Sequence, residues 1–340
     1  MIQKQFEIFC GTGGVGKTTL ATSRAFHLAS CGQKVLLITI DPAKRLKELL
    51  GLSEEQAGDV QNVSLDYDGK TIEFDALLMS PDKTIESMAH ESGVESLSDN
   101  RILKILAKPY GGMNEILSVV EVQRNLDKKI YSTIILDTPP GSHFVDFLKS
   151  CQKIQTFFDR SFMEVFKYLR QSKAAQNANI FKKVMATGIK KLMDYLQSVT
   201  GAVFIDDFLG AVDAIYQAKD VFLNALNLQE DFKDPAKSNW FLVTAVDHSK
   251  LKEAINLKKH ADSFIHKDNF ICLNKYAKEQ WQGLEAPVDS SLGKLRDKHL
   301  AHHEKLEDSL KQVFNNLLIF TEIFEISPLE HVRCLAKQWQ

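Results

Sequence analysis

The stretch Phe6-Glu7-Ile8-Phe9-Cys10-Gly11-Thr12-Gly13-Gly14-Val15-Gly16-Lys17-Thr18-Thr19 decides the fold. From Gly11 it fits the spacing G-x-x-x-x-G-K-[ST], closed by Gly16, Lys17 and Thr18. A short apolar run precedes the glycines. A helical pattern from Lys17 to Ser30 follows them and meets a C-cap signal at Gly32. Strand, glycine loop and helix in that order are the context a phosphate-binding loop requires. Glycines let backbone N–H groups converge on phosphate oxygens without Cβ clashes, and the helix N-terminus adds partial positive charge. The segment Gly11, Thr12, Gly13, Gly14, Val15, Gly16 is therefore the expected cradle. Lys17 is expected to bridge the β- and γ-phosphates, Thr18 to bind Mg²⁺ and Thr19 to steady the α-phosphate. The competing reading, a glycine turn without a ligand, explains neither the lysine nor the hydroxyl.

Outward from the loop, short apolar runs bounded by turn residues read as buried strands at Phe6–Cys10, Lys34–Ile40, Thr133–Asp137, Trp240–Thr244, Phe270–Leu273 and Leu318–Ile326, with a weaker one at Ile72–Met79. Helical stretches separate most of them, which predicts an α/β fold with a mostly parallel sheet covered by helices on both faces. Between about Phe144 and Phe232 no strand pattern occurs. Apolar residues there recur at helical spacing, as in Phe158, Phe162, Val165, Leu169 and again in Phe204, Phe208, Ala211, Ile215, Ala218, Phe222, Ala225. The expected organisation is a nucleotide-binding core of residues 1–143 and 236–340, interrupted by an all-helical subdomain of residues 144–235.

The chain has 340 residues, with 42 Lys+Arg against 44 Asp+Glu. Such a length buries about three quarters of the surface of the unfolded chain, so no staples are needed. The near-zero net charge argues against nucleic acid as a partner. No apolar run is long enough to span a bilayer, so membrane association is expected only through a partner. The five cysteines, Cys10, Cys31, Cys151, Cys272 and Cys334, are scattered and form no C-x-x-C pair. That pattern predicts a reducing, cytoplasmic setting and excludes a disulfide scaffold. The run Phe6 to Phe9 is too short for a secretory leader.

Two aspartates end buried strands. Asp137, after Thr133–Leu136, is the expected water-mediated Mg²⁺ contact. Asp41, after Lys34–Ile40, stands on the same sheet edge, where a carboxylate orients an attacking water or begins an Asp-Pro turn.

Gly11-Thr12-Gly13-Gly14-Val15-Gly16-Lys17-Thr18-Thr19 resembles the deviant Walker A form of the MinD/ParA, nitrogenase-iron-protein and ArsA group of P-loop NTPases. Asp41-Pro42-Ala43 is similar to switch I of the ArsA branch, and Asp137-Thr138-Pro139-Pro140-Gly141-Ser142-His143 to its switch II. Pro109 through Glu115, Asn274 after a strand, and Pro328-Leu329-Glu330-His331-Val332-Arg333 resemble further family segments in family order. The branch contains arsenite-efflux ATPases and ATPases that deliver tail-anchored proteins. The resemblance implies a Mg²⁺-dependent ATPase that cycles between ATP and ADP as a homodimer, with an apolar or protein client on its helical subdomain. It implies that Asp41 activates water, that Lys17 and Asp41 are the catalytic pair, that Asp137 holds Mg²⁺ and that Asn274 reads adenine. It also implies that Asp247 lies at the nucleotide and that Pro328 and Leu329 enclose the base.

The departures carry information as well. The deviant loop normally has a lysine at its second position, which reaches the partner's phosphates; here that residue is Thr12. Either Lys44 or Arg45 substitutes, or the dimer is not catalytic in the usual way. Tyr276 to Trp281 contains no cysteine, so a zinc-clamped dimer is unsupported. His299, His302 and His303 read as solvated residues of a charged helix spanning Ser290–Asn316, and Val332–Trp339 as a short segment docked on the body. Two further readings remain open: a nucleotide-gated binding module with little hydrolysis, and a positioning ATPase of the MinD/ParA type.

Overall fold

The computed structural model describes residues 3–40, 49–52, 54–67, 69–108, 113–159, 198–324 and 327–339. The strands are β1 (Phe6–Gly11), β2 (Val35–Thr39), β3 (Val60–Tyr67), β4 (Lys70–Leu78), β5 (Thr133–Asp137), β6 (Ser238–Ala245), β7 (Phe270–Tyr276) and β8 (Asn316–Thr321). The helices used below are α1 (Lys17–Ser30), α2 (Ser142–Leu148), α3 (His248–Ala261), α4 (Ser291–Val313) and α5 (Pro328–Ala336). The strands form one sheet in the order β3-β4-β2-β5-β1-β6-β7-β8. Every pairing is parallel except β3 with β4. This is the expected α/β, P-loop-type sheet. β1 lies inside it, between β5 and β6, and is buried along its whole length.

Alternation along β1 shows how both faces are covered. Phe9 stacks on Phe241 of β6, and Trp339 closes edge-on over both, with ring centroids 5.8 and 5.5 Å away. Trp339 Nε1 donates to Ser23 Oγ of α1 at 2.8 Å. The segment Val332–Trp339 thus docks on the body, with Val332, Leu335 and Trp339 buried. On the opposite face Trp240 packs against Phe144 of α2 and Phe232. Glu7 occupies the α1 side of this apolar strand. Arg24 grips it with two bonds, Nε to Oε2 at 2.7 Å and Nη2 to Oε1 at 2.9 Å, and both side chains are buried. The pair pins α1 to β1, which fixes the span the loop between them must bridge.

At both edges of the sheet the strands differ from expectation. β8 ends at Thr321, short of the expected strand end; beyond it Ile323 packs partly buried against the core and Phe324 is 78% exposed, while Glu325 and Ile326 lie outside the described residues. β4 begins at Lys70, and β3 pairs with it antiparallel as a hairpin. β3 was not expected because its outward face is polar and exposed, as an edge strand's is. The Asp68-Gly69 dipeptide was the available hairpin signal.

The chain divides into two compact units. One comprises Met1–Met79, Arg124–Leu148 and Leu228–Gln340 and holds the sheet. The other comprises Ser80–Gln123 and Lys149–Asn227. The second unit therefore draws in residues 80–123, which the sequence reading left with the core, while Phe144 and Phe147 stay with the sheet as fully buried residues of α2. Among its described residues the second unit is helical. Asn100 caps one helix through Ile102 N and Leu103 N, and its Nδ2 donates to Asp207 O at 2.8 Å, joining segments far apart in sequence. Phe162, Val165 and Leu169 lie outside the described residues.

Candidate functional site

β1 ends at Gly11 and α1 begins at Lys17. Gly11 has φ +147, and a Cβ there would lie 2.3 Å from the Val243 carbonyl oxygen of β6, its register partner. No side chain fits at that approach. Gly14 and Gly16 have φ +78 and +91, in the left-handed region that L side chains rarely adopt. A Cβ on Gly13 or Gly14 would meet nothing within 4 Å, so the loop is open there. Gly16 is the N-cap of α1 and contributes no side-chain hydrogen bond to the first-turn N–H groups.

Lys17 is buried, and its Nζ donates to Thr12 O at 3.1 Å, which holds the ammonium within the loop. Thr18 Oγ1 donates to Asp137 Oδ2 at 2.7 Å. Sheet register explains that meeting: β5 sets Asp137 beside Phe9 of β1 and beside Thr39 of β2. Thr39 Oγ1 donates to the same carboxylate oxygen at 2.9 Å. Beyond Asp137 the chain remains tied to β1. Thr138 N and Oγ1 both donate to Phe9 O, at 3.1 and 2.8 Å, and Gly141 N donates to Gly11 O at 3.3 Å. Oγ1 of Thr12 and of Thr19 are buried without a hydrogen-bond partner. A buried hydroxyl left without a partner is costly. Thr19 lies on the first turn of α1, directly after the loop. The orphaned hydroxyl and the open glycine cradle fit a nucleotide phosphate chain, and the Thr18–Asp137 pair fits Mg²⁺.

The other expected residues divide. Asn274, in the C-terminal half of β7, is buried and its Nδ2 donates to Val15 O at 2.9 Å, so the structure brings it to the loop itself. Asp247 is exposed and caps α3, accepting from Ser249 N at 2.8 Å and Lys250 N at 3.0 Å. Hydrogen bonds from Ser249 and the Lys250 backbone hold its carboxyl below the usual range. Pro328 is the first residue of α5, and Leu329 packs partly buried against the core. Asp41, with Lys44 and Arg45, lies outside the described residues, as does 109–112 of the Pro109–Glu115 segment.

The three helix histidines are not all solvated. His303 is buried. Its Nδ1 donates to His299 O at 2.7 Å, so Nε2 accepts from Ala277 N at 3.3 Å. Burial pushes its imidazole below the ordinary value. His299 stacks flat on Trp281, with centroids 4.2 Å apart. Among the described residues no group of three or more His, Cys, Asp or Glu is placed to hold a metal ion, and no helix is long and apolar enough to cross a membrane. Burial pushes the Cys10 thiol up to about 12 and raises that of Cys272, so both behave as small apolar residues.

The sequence reading missed Thr39. A threonine inside a β-branched strand gives no sign of facing a carboxylate until the register of β2 on β5 is known. The motif Asp137–His143 likewise does not display that Thr138 ties the segment after Asp137 to β1.

The family profile described as anion-transporting ATPase matches residues 4–332. The protein named ATPase GET3 of Mycosarcoma maydis is 30% identical over 138 residues, which is 41% of this chain and 40% of that protein. ATPase get3 of Aspergillus terreus is 23% identical over 315 residues, covering 91% of this chain and 84% of the relative. ATPase ASNA1 homolog 1 of Paramecium tetraurelia is 30% identical over 142 residues, 41% of each chain. The matches above 30% identity thus span about two fifths of the relatives concerned.

Proposed function

We propose, from the premise that the chain belongs to the anion-transporting ATPase (ArsA) family, that it binds and hydrolyses ATP with Mg²⁺ and couples the nucleotide state to a client. The observation that carries this reading is the convergence of the Lys17 ammonium, the orphaned Thr19 hydroxyl and the Thr18–Asp137 pair on one glycine loop. Gly11 through Gly16 would cradle the phosphates, Lys17 would exchange Thr12 O for phosphate oxygens, and Thr19 would donate to another. Thr18 and Asp137 would hold Mg²⁺, whose bound charge would offset that of the phosphates. Thr39 keeps the Asp137 carboxylate oriented toward Thr18. Asp41 is proposed to orient the attacking water.

The segment after Asp137 is fastened to β1 through Thr138 and to the loop through Gly141. That attachment gives a physical route by which occupancy of the loop moves the chain leading into α2. The second unit exposes Ile105, Val199, Val203 and Phe204, at 60%, 65%, 67% and 40%. Exposed aliphatic and aromatic residues of this kind support an apolar or protein client there. A homodimer is part of the same proposal. Phosphate release measured with and without Mg²⁺ tests it: Asp41→Asn should retain ATP binding and lose turnover. Parental turnover in Asp41→Asn would remove Asp41 from the reaction.

A second reading, a nucleotide-gated binder with little hydrolysis, is favoured by Thr12, which is buried and carries no charge to a partner's phosphates. Faster phosphate release in Thr12→Lys supports it; unchanged turnover refutes the idea that Thr12 limits the reaction.

A further inference from the structure

We infer that Asn274 is a positioning residue for the phosphate-binding loop: its side-chain amide holds the Val15 carbonyl outward, so that the following N–H faces the phosphates. The inference rests on the nucleotide reading above and deepens it, since the resemblance connects Asn274 only with the base.

Three observations converge. First, Asn274 Nδ2 donates to Val15 O at 2.9 Å, and the residue is 6% exposed, so the bond is shielded from water. A trans peptide is planar with its C=O and N–H opposed. Holding the Val15 carbonyl against Asn274 therefore directs the Gly16 N–H to the other side, away from Asn274. An anion-binding loop works by turning successive N–H groups one way and their carbonyls the other. Second, the amide sits as close to the loop backbone as a glycine permits: a Cβ on Gly16 would lie 2.4 Å from Asn274 Nδ2. Gly16 is thus required by this contact as well as by its own positive φ.

Third, the chain carries local strain next to Asn274. Lys275 is exposed and has φ +60, a left-handed conformation that is uncommon outside glycine. The pairing of β7 with β8 slips between Leu273 and Tyr276, while Ala245 of β6 still pairs with Asn274. Bulges re-aim side chains at sheet ends, and strain of this kind persists where the surroundings hold it for a purpose. Here the irregularity falls on the residue next to the one that reaches the loop. An amide has two N–H groups and a carbonyl oxygen, so the tether leaves Asn274 capacity for a base. The residue would then connect base and phosphate sites physically.

The test uses a ligand without a base. Affinities of Mg·ATP and of Mg·tripolyphosphate are measured for the 340-residue parental chain and for Asn274→Asp and Asn274→Ala. Circular dichroism and the thermal midpoint are recorded first. Asn274→Asp is nearly isosteric, but its carboxylate cannot donate to Val15 O. A positioning role predicts about a tenfold loss for both ligands in both variants. A loss for ATP with tripolyphosphate affinity unchanged would show that Asn274 reads only the base, and would overturn the inference. A parental chain that binds neither ligand would instead refute the nucleotide reading, and the tether's role with it. A measurement that needs no variant is hydrogen exchange over 273–276 in the parental chain. Exchange there should slow on adding Mg·tripolyphosphate, and no change would contradict the coupling.

Discussion

The Glu7–Arg24 pair offers a prediction in which the double substitution costs far less than either single one. Both side chains are buried, at 0% and 2% exposure, and two bonds of 2.7 and 2.9 Å join them. Arg24→Met leaves the Glu7 carboxylate inside the sheet with Asn239 Nδ2 at 3.4 Å, a long contact for an ion. Glu7→Leu leaves a buried guanidinium that still lies over the Trp339 ring, 5.2 Å from its centroid. Breaking a buried pair from one side costs about 3–5 kcal/mol, because the remaining charge has lost its partner in a poorly solvated site. Replacing both members with apolar residues of similar volume is about neutral, since neither charge is then desolvated. The double variant should recover most of the loss, giving a coupling of more than about 3 kcal/mol. Urea unfolding followed by tryptophan fluorescence is the assay, because Trp240, Trp281 and Trp339 all lie in the unit that holds the sheet. Single variants that cost less than about 1 kcal/mol, or a double variant whose cost equals the sum of the singles, would refute the reasoning.

Two further outcomes follow from the same geometry. Gly11→Ala places a Cβ 2.3 Å from a backbone oxygen of a paired strand at a positive φ, so overpacking should cost about 1–3 kcal/mol and nucleotide affinity should fall; a thermal midpoint and affinity equal to the parent's would contradict this. Burial also holds the imidazoles of His27, His266 and His303 below their ordinary value. The unfolded chain therefore takes up protons first as pH falls past about 6.5, and stability present above that value declines toward lower pH. His303→Gln should make the decline of the thermal midpoint between about pH 7 and 5 shallower, and an unchanged slope would show that His303 does not contribute.

The phosphate loop was legible because its function depends on residue types that local sequence displays: glycines where φ is positive, then lysine and threonine at the helix start. The buried strands were legible for a related reason, since β1, β2 and β5 are covered on both faces and so consist of continuous apolar runs. β3 was not, because one of its faces is solvated. Long-range partnership was invisible in another way. Glu7 reads as an odd polar letter in an apolar strand until Arg24 is known to lie one helical layer above it. Thr39 becomes a partner of Asp137 only through strand register. Resemblance names Asn274 as a base-reading residue, whereas its contact with Val15, 259 positions away in sequence, is displayed by no spacing rule. Asp247 shows the converse: an acidic residue in a suggestive position spends its carboxylate on capping α3.

Calorimetric titration of Mg·ATP into the unsubstituted chain and into Lys17→Ala addresses the phosphate site itself. Saturable binding by the unsubstituted chain, lost or weakened at least about a hundredfold when the ammonium is removed, is the predicted result. Equal affinity in the two proteins, or no binding by the unsubstituted chain, would contradict the assignment of residues 11–19 as the site of a Mg-nucleotide.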